Sequence, residues 1–405
     1  MRAMSVRTTA LAVAVTLTAT ACSEAPTEPA GPTARETAPS FLEAGATLET
    51  WLGAYPDPAS PAPGGAILVG AGDIAECYHG NPPPQSVDPA VVQNTAAERT
   101  ARLVERVLER RPDATPMTAG DNAYQFGLLT PDYKYCYDLT WGRFKDPTRP
   151  SAGNHEYMSA ATGYFAYFGP KTNPPLGYYS YDLGSDAGGK WHVIVLNSTP
   201  QVYLCYPPEL SEAEDEAEDQ SWWQELWPTP QLEREPRSRI AGRACAGDAA
   251  QQAWLVADLR MHSNARCTLV YFHHPRFSSG SHGSHFQMQR IWDILYAYGV
   301  DVVVAAHDHN YERFAPQDLN GKRDPTFGIR QFVVGTGGGD LRSVGRPIKN
   351  SEVLFTGIHG VIGLALNKDS YGWAFIAVDG SIKDSGSGSC HDAPTLKKLP
   401  FALPS

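Results

Sequence analysis

Charge is scarce in this chain. Only 19% of its 405 residues are charged, and 33 basic residues face 44 acidic ones. So little charge excludes a coiled coil or a disordered polyelectrolyte. A formal net charge of −11 also argues against general nucleic-acid binding, which needs clustered Lys and Arg at the phosphates. A phosphorylated small molecule would therefore have to meet its positive charge locally, from metal ions. Cysteine is sparse too: there are 7, none in the C-x-x-C spacing of a zinc site. No internal repeat is present. What is abundant is glycine (37), proline (33) and apolar residues (42%), a mixture that suits a loop-rich α/β or β-rich globular protein with a large core.

The one long apolar run is N-terminal. Arg2 and Arg7 precede the small, apolar stretch from Thr8 to Ala21, and no acidic residue appears before Glu24. The run is too short to span a membrane and reads as an export signal over 1–22. It ends Ala19-Thr20-Ala21-Cys22, which resembles a bacterial lipobox with Ala19 where Leu is usual. That predicts a lipid anchor at Cys22; the alternative is ordinary cleavage near Ala21. Either way the protein is expected outside the cytoplasm, in the cell envelope or beyond it. Removing Cys22 leaves Cys77, Cys136, Cys205, Cys245, Cys267 and Cys390, an even set that suggests disulfides without choosing among pairings.

Residues 23–65 are rich in Pro, Ala, Glu and Thr and read as a solvated tether, with a short amphipathic piece over Phe41 to Trp51. The folded body is expected over 66–395. Strands are predicted at 66–69, 115–118, 191–196, 268–272, 300–305, 331–334, 361–366 and 373–378. Thr95-Ala96-Ala97-Glu98 reads as a capping box opening a helix that runs to Arg111, where Pro112 stops it. Further helices are predicted over 249–259 and 286–298, the second closed by Gly299. Strands alternating with helices indicate an α/β layered domain. Residues 201–247 carry an acidic run, Glu212 to Asp219, then Trp222, Trp223 and Trp227. They read as a surface insertion that a Cys205–Cys245 pairing would close.

Five short segments each follow or end a predicted strand. They are Gly72-Asp73, Gly120-Asp121-Asn122-Ala123-Tyr124, Gly153-Asn154-His155-Glu156, Val270-Tyr271-Phe272-His273 and His307-Asp308-His309. Loops at the carboxyl ends of strands converge on one rim of an α/β sheet, where ligands bind. Carboxylates, an amide oxygen, a phenol and imidazoles gathered there suit Fe, Mn, Zn or Co. Glycine ahead of the acidic or amide residue allows close approach. Any one segment could be a turn; five in this order point to metal ligation. Gly335-Thr336-Gly337-Gly338-Gly339 lacks the Lys-Ser/Thr of a P-loop and reads as a tight strand exit. His192 reads as structural, and His274 as pointing away from the face of His273. His79, His262, His359 and His391 have no context that singles them out.

The five segments resemble those of the calcineurin-like metallophosphoesterases. Tyr124 and the run His307-Asp308-His309-Asn310-Tyr311-Glu312-Arg313 are most similar to the purple acid phosphatases. The resemblance spans Ala66 to about Cys390. Ala75 stands where the family often has Gly, and the β-sandwich domain that precedes the catalytic domain in plant enzymes has no counterpart between the tether and the first motif. The resemblance implies a four-layer α/β fold, a β-sandwich of two mixed sheets flanked by helices. It implies that Asp73, Asp121, Tyr124 and His309 bind one metal ion, and Asp121, Asn154, His273 and His307 a second, with Asp121 shared. Fe(III) paired with Fe, Zn or Mn is the expected cofactor, with Tyr124 as the phenolate behind an iron charge-transfer colour. It further implies phosphomonoester hydrolysis by a metal-bound hydroxide, with His155 supporting the transition state or acting as acid. His282 and His285 would bind substrate from a Gly-rich loop, His282 the favoured one of the two. Glu156 and Arg313 would support the ligands. A phosphodiesterase or nucleotidase with the same ions is the alternative enzyme; a non-catalytic cell-surface binding lipoprotein is the alternative outside enzymes.

Overall fold

The computed structural model describes residues 45–54, 57, 59–79, 83–185, 188–203 and 248–394. The export segment 1–22 with Cys22, the first part of the tether, and residues 204–247 with Cys205, Cys245 and the tryptophan cluster lie outside the described residues.

Among the described residues thirteen strands build two mixed sheets. One has the order β13-β12-β11-β1-β2-β3, formed by β1 (Ala66–Ala71), β2 (Thr115–Ala119), β3 (Arg149–Ser151), β11 (Gly360–Leu366), β12 (Ser370–Ala377) and β13 (Ile382–Ser389). The other has the order β10-β8-β9-β7-β6-β5-β4, formed by β4 (Tyr179–Ser185), β5 (Gly189–Val195), β6 (Cys267–Tyr271), β7 (Val302–Ala305), β8 (Tyr311–Phe314), β9 (Arg330–Val334) and β10 (Ser351–Phe355). Parallel pairing joins β1 to β2 and β2 to β3, and likewise β5–β6, β6–β7 and β7–β9. The other neighbours are antiparallel.

Side-chain alternation explains the layering. Along the second sheet Val193, Val195, Leu269, Tyr271, Val302 and Val304 join Ile67, Val69 and Leu364 of the first sheet in one core. Their sequence neighbours Ile194, Val270 and Val303 face the other way, against Leu255 and Leu259 of the helix Ala249–Met261 and Ile291 and Leu295 of the helix Gln289–Ala297. Successive strand residues point to opposite faces, so a strand buried on both sides must be apolar throughout, as these are. The helix Ala96–Arg110 covers the first sheet, packing on β1 and β11. The fold is thus the expected sandwich of two mixed sheets flanked by helices.

Several expectations are corrected. The tether does not extend to residue 65. A helix at Leu48–Gly53 buries Leu48 and Trp51, and the Trp51 indole donates to the Ala59 carbonyl at 2.6 Å. Leu48 N–H donates to the Gly380 carbonyl, so this stretch is part of the folded body. The insertion begins after its predicted start: Gln201 and Val202 are buried in the helix Ser198–Tyr203. The capping box at Thr95 is half formed. Thr95 Oγ1 accepts from Glu98 N–H, but the Glu98 carboxylate turns to Arg102 and Arg143. The Thr95 N–H is already held by the Val92 carbonyl, which leaves Glu98 free for the cations. The predicted helix over 286–298 is a 3-10 turn, Phe286–Met288, followed by the α-helix Gln289–Ala297. Among the described residues two disulfides are formed, Cys77–Cys136 and Cys267–Cys390.

Candidate metal centre

The five segments meet at the carboxyl ends of the parallel strands. Asp73 follows β1, Asp121 and Tyr124 follow β2, Asn154 follows β3, His273 follows β6, and His307 and His309 follow β7. Main-chain bonds tie the strand exits together: Asp73 N–H donates to Gly120 O, and Ala306 N–H to His273 O. Gly153 rests on Asp121, where a Cβ would come within 2.2 Å of Asp121 Oδ1. Only glycine permits that approach.

Asp73, Asp121 and His307 have φ of 56°, 46° and 69°. Left-handed backbone costs a non-glycine residue on the order of 1–3 kcal/mol and persists where the surroundings over-determine it. Here side chains lock it. Asp73 Oδ2 accepts His307 N–H at 2.8 Å, and Asp121 Oδ1 accepts His155 N–H at 2.9 Å.

All seven predicted ligand side chains come together, in two groups with one shared atom. The Tyr124 hydroxyl lies 2.8 Å from Asp73 Oδ1, 3.3 Å from Asp121 Oδ2 and 3.1 Å from His309 Nε2. His273 Nε2 lies 3.1 Å from Asp121 Oδ2, 3.0 Å from Asn154 Oδ1 and 3.2 Å from His307 Nδ1. Asp121 Oδ2 thus belongs to both.

The donor chemistry fits cations. His273 directs Nδ1 to the Ala119 carbonyl at 2.9 Å, and His309 directs Nδ1 to the Asp340 carbonyl at 2.5 Å. Those carbonyls must be met by N–H, so in the neutral rings Nε2 presents its lone pair inward. There it faces carboxylate and amide oxygens, which also present lone pairs. Such convergence is stable only with positive charge at its middle. Without metal, protons fill that role. Burial opposes charge on His273, but Asp121 and Asp73 overcome it and lift the imidazole to about 9. Burial would likewise raise Asp73 and Asp121, yet His309 and His273 hold Asp73 below its ordinary range, and His273 and His155 do the same for Asp121. Burial and the two aspartates push the Tyr124 phenol well above its usual value. Burial, with His282 and His274 beside it, pushes His307 well below the usual imidazole.

The remaining predicted residues separate. Glu156 accepts from the main-chain N–H of Asn122 at 2.8 Å and of Gly153 at 2.7 Å, bracing two of the ligand segments. His155 sets Nδ1 2.5 Å from the Gln125 carbonyl and Nε2 3.9 Å from Asp121 Oδ2. His282 and His285 both reach the centre, with rings 4.3 Å and 5.0 Å from that of His307. Burial and Arg342 lower His282 to about 4, and burial and His282 lower His285 to about 3. Arg313 does not support the ligands. Its guanidinium bonds Asp384 and Glu352 and lies over Trp373, because β8 carries it to the neighbouring strands instead. The supporting carboxylates of that run are Asp308 and Glu312, which bind the loop bearing His282: Asp308 accepts His282 N–H at 2.8 Å, and Glu312 accepts Ser279 N–H at 2.8 Å.

Three features were missed. His274 does not point away: its ring packs 4.5 Å from that of His307, and Nδ1 lies 2.8 Å from Ser198 Oγ. Strand β6 ends at Tyr271, so alternation no longer applies, and Pro275 was the available signal. The Gly335–Gly339 run is more than a strand exit, since Gly339 N–H donates to the Asp73 carbonyl at 2.8 Å. Arg342 Nη1 lies 2.6 Å from His282 Nε2, and no motif announced it. His192 is structural as expected, held between Asp182 and Asp258.

Comparison with known proteins agrees with this geometry. A family model described as calcineurin-like phosphoesterase matches residues 71–311, more than half of the chain. The chain belongs to that family. It is similar to acid phosphatase type 7 of Mus musculus, 28% identical over 189 residues, covering 45% of this chain and 36% of that one. It is also similar to purple acid phosphatase 18 of Arabidopsis thaliana, 38% identical over 93 residues, covering 22% of this chain and 21% of that one. The matches therefore span about a third or less of these relatives. Among solved structures, purple acid phosphatase PPD1 from yellow lupin (Lupinus luteus) seeds superposes with a TM-score of 0.53 at 16% identity, covering 85% of this chain and 58% of that one. GAP50, the anchor in the inner membrane complex of Plasmodium, gives 0.55 at 13% identity, covering 84% and 93%. Both structural likenesses concern the fold.

Proposed function

We propose that this protein hydrolyses phosphate monoesters at a two-metal centre of the purple acid phosphatase type. The observation that carries the reading is the sharing of Asp121 Oδ2 between two donor groups that together use all seven side chains. Asp73, Asp121, Tyr124 and His309 would hold one ion, and Asp121, Asn154, His273 and His307 the other. Fe(III) with Fe, Zn or Mn suits this donor set, and the Tyr124 phenol suits Fe(III). When bound, such a pair supplies positive charge to the phosphate and makes water acidic enough to attack near neutral pH.

The chain's own residues then position and exclude. His155 presents Nε2 to the shared aspartate and is placed to hold a proton for the leaving oxygen. His282 and His285 crowd over His307 and narrow the approach to the ligands. A phosphodiesterase or nucleotidase would use the same ligands. A non-catalytic role is disfavoured: an anchor protein shares the fold, but here every ligand position carries a competent donor. Export is part of the reading, supported by two disulfides, which persist in oxidising compartments. A lipid anchor at Cys22 remains part of it on sequence grounds alone. Among the described residues no helix is long and apolar enough to cross a membrane.

Metal analysis, a visible absorption spectrum and turnover of a phosphomonoester test the proposal together. Asp121→Asn is expected to lose both metals and activity. Tyr124→Phe is expected to lose the visible band. Undiminished turnover in Asp121→Asn defeats the assignment.

A further inference from the structure

Among the described residues one permanently charged cation, Arg342, is hydrogen-bonded to the cluster of site histidines, donating to His282. A guanidinium can only donate, so His282 Nε2 accepts. His282 is also held by its main chain, through Asp308, and by packing over His307.

Arg342 is itself bound to the centre through its backbone. The segment leading to it donates Gly339 N–H to the Asp73 carbonyl and offers the Asp340 carbonyl to His309 Nδ1. The Arg342 N–H then points to the His309 carbonyl at 3.4 Å. Yet among the described residues no carboxylate pairs with its guanidinium. Arg313, Arg330 and Arg266, by contrast, each sit on an Asp or Glu. A half-buried guanidinium fixed at the rim of a phosphate-binding centre, with donors left over, is suited to an anion.

We propose that Arg342 binds the non-bridging oxygens of the substrate phosphate and makes the site selective for monoesters over diesters. The inference rests on the phosphoesterase reading above and adds the substrate class to it. A monoester phosphate carries roughly 1.5 to 2 negative charges near pH 7 and has three terminal oxygens. A diester carries one charge, and its second ester group occupies the place of a terminal oxygen. With the metal pair held by the seven ligands, Arg342, hydrogen-bonded to His282 beside them, would be placed to take a terminal oxygen that a diester lacks.

The test compares metal-loaded wild type, Arg342→Gln and Arg342→Lys on p-nitrophenyl phosphate and bis(p-nitrophenyl) phosphate, with calorimetric titration of inorganic phosphate. In Arg342→Gln, kcat/KM for the monoester is expected to fall roughly ten- to hundredfold, the range of one charge-assisted hydrogen bond, chiefly through KM. Phosphate affinity falls by a similar factor, diester turnover changes little, and metal content holds. Arg342→Lys recovers part of the loss. Equal loss on both esters, or unchanged phosphate affinity, overturns the proposal. A wild type that turns over neither ester defeats the phosphoesterase reading instead, while the phosphate titration still decides the role of Arg342.

Discussion

Gly335 offers a direct test of how tightly the centre is built. It leaves β9 between two site segments, and a Cβ added there would lie 2.1 Å from the Asp308 carbonyl oxygen and 2.5 Å from Asp73 Oδ2. Real Cβ atoms essentially never approach below 3.0 Å, so alanine forces a movement of roughly 1 Å. Its backbone is not in the left-handed region, so space alone opposes the substitution. The movement falls on Asp73, whose Oδ2 holds His307, and on Asp308, which holds the His282 loop. Overpacking of this kind costs about 1–3 kcal/mol of stability. Misplacing positioned groups by about 1 Å costs on the order of a hundredfold in rate. Gly335→Ala should therefore fold, melt a few degrees lower, bind metal more weakly and lose about two orders of magnitude in kcat/KM. The assay pairs metal analysis with phosphomonoester turnover and a thermal melt. Gly345→Ala, with nothing within 4 Å of the added methyl, is the control. Wild-type metal content and turnover in Gly335→Ala would refute the packing argument.

Trp51→Ala should cost about 3–5 kcal/mol in urea unfolding, because the indole is fully buried and hydrogen-bonded, while activity per folded molecule is retained. A loss near zero would return residues 47–65 to the tether. His192 supplies a pH prediction. Burial opposes its charge, but Asp258 and Asp182 outweigh burial and raise its pKa above 6.5. His262 stacks on it and Lys190 pairs with Asp182. A raised folded pKa gives stability that is present in full below the unfolded value and is lost as pH rises through the folded one. The destabilisation by His192→Gln should therefore be larger at about pH 5.5 than at about pH 9. Equal unfolding differences at the two pH values would contradict it.

Much of the centre was legible before any fold was known. Each ligand except Asn154 sits within a few residues of a strand legible in the sequence, and chemistry-bearing residues at strand exits are a local signal. The strands not predicted are β3, β4, β8, β10 and β13, and two of these carry little strand signal of their own. β13 reads Ile-Lys-Asp-Ser-Gly-Ser-Gly-Ser, ending in five alternating serines and glycines with little apolar character, and it forms by pairing along β12. β3 is only three residues long and contains a proline. Trp51 lay in a stretch whose composition is that of a linker, and composition does not register a single buried anchor.

Local chemistry, then, determined which side chains could bind metal and roughly where strands end, because backbone direction and donor type are properties of short segments. Tertiary structure decided the rest. It divided the donors into two groups around Asp121, brought His274 and Arg342 to the rim, and sent Arg313 away to Asp384. Those outcomes depend on distances between residues far apart in the chain, and such distances exist only once both sheets have packed.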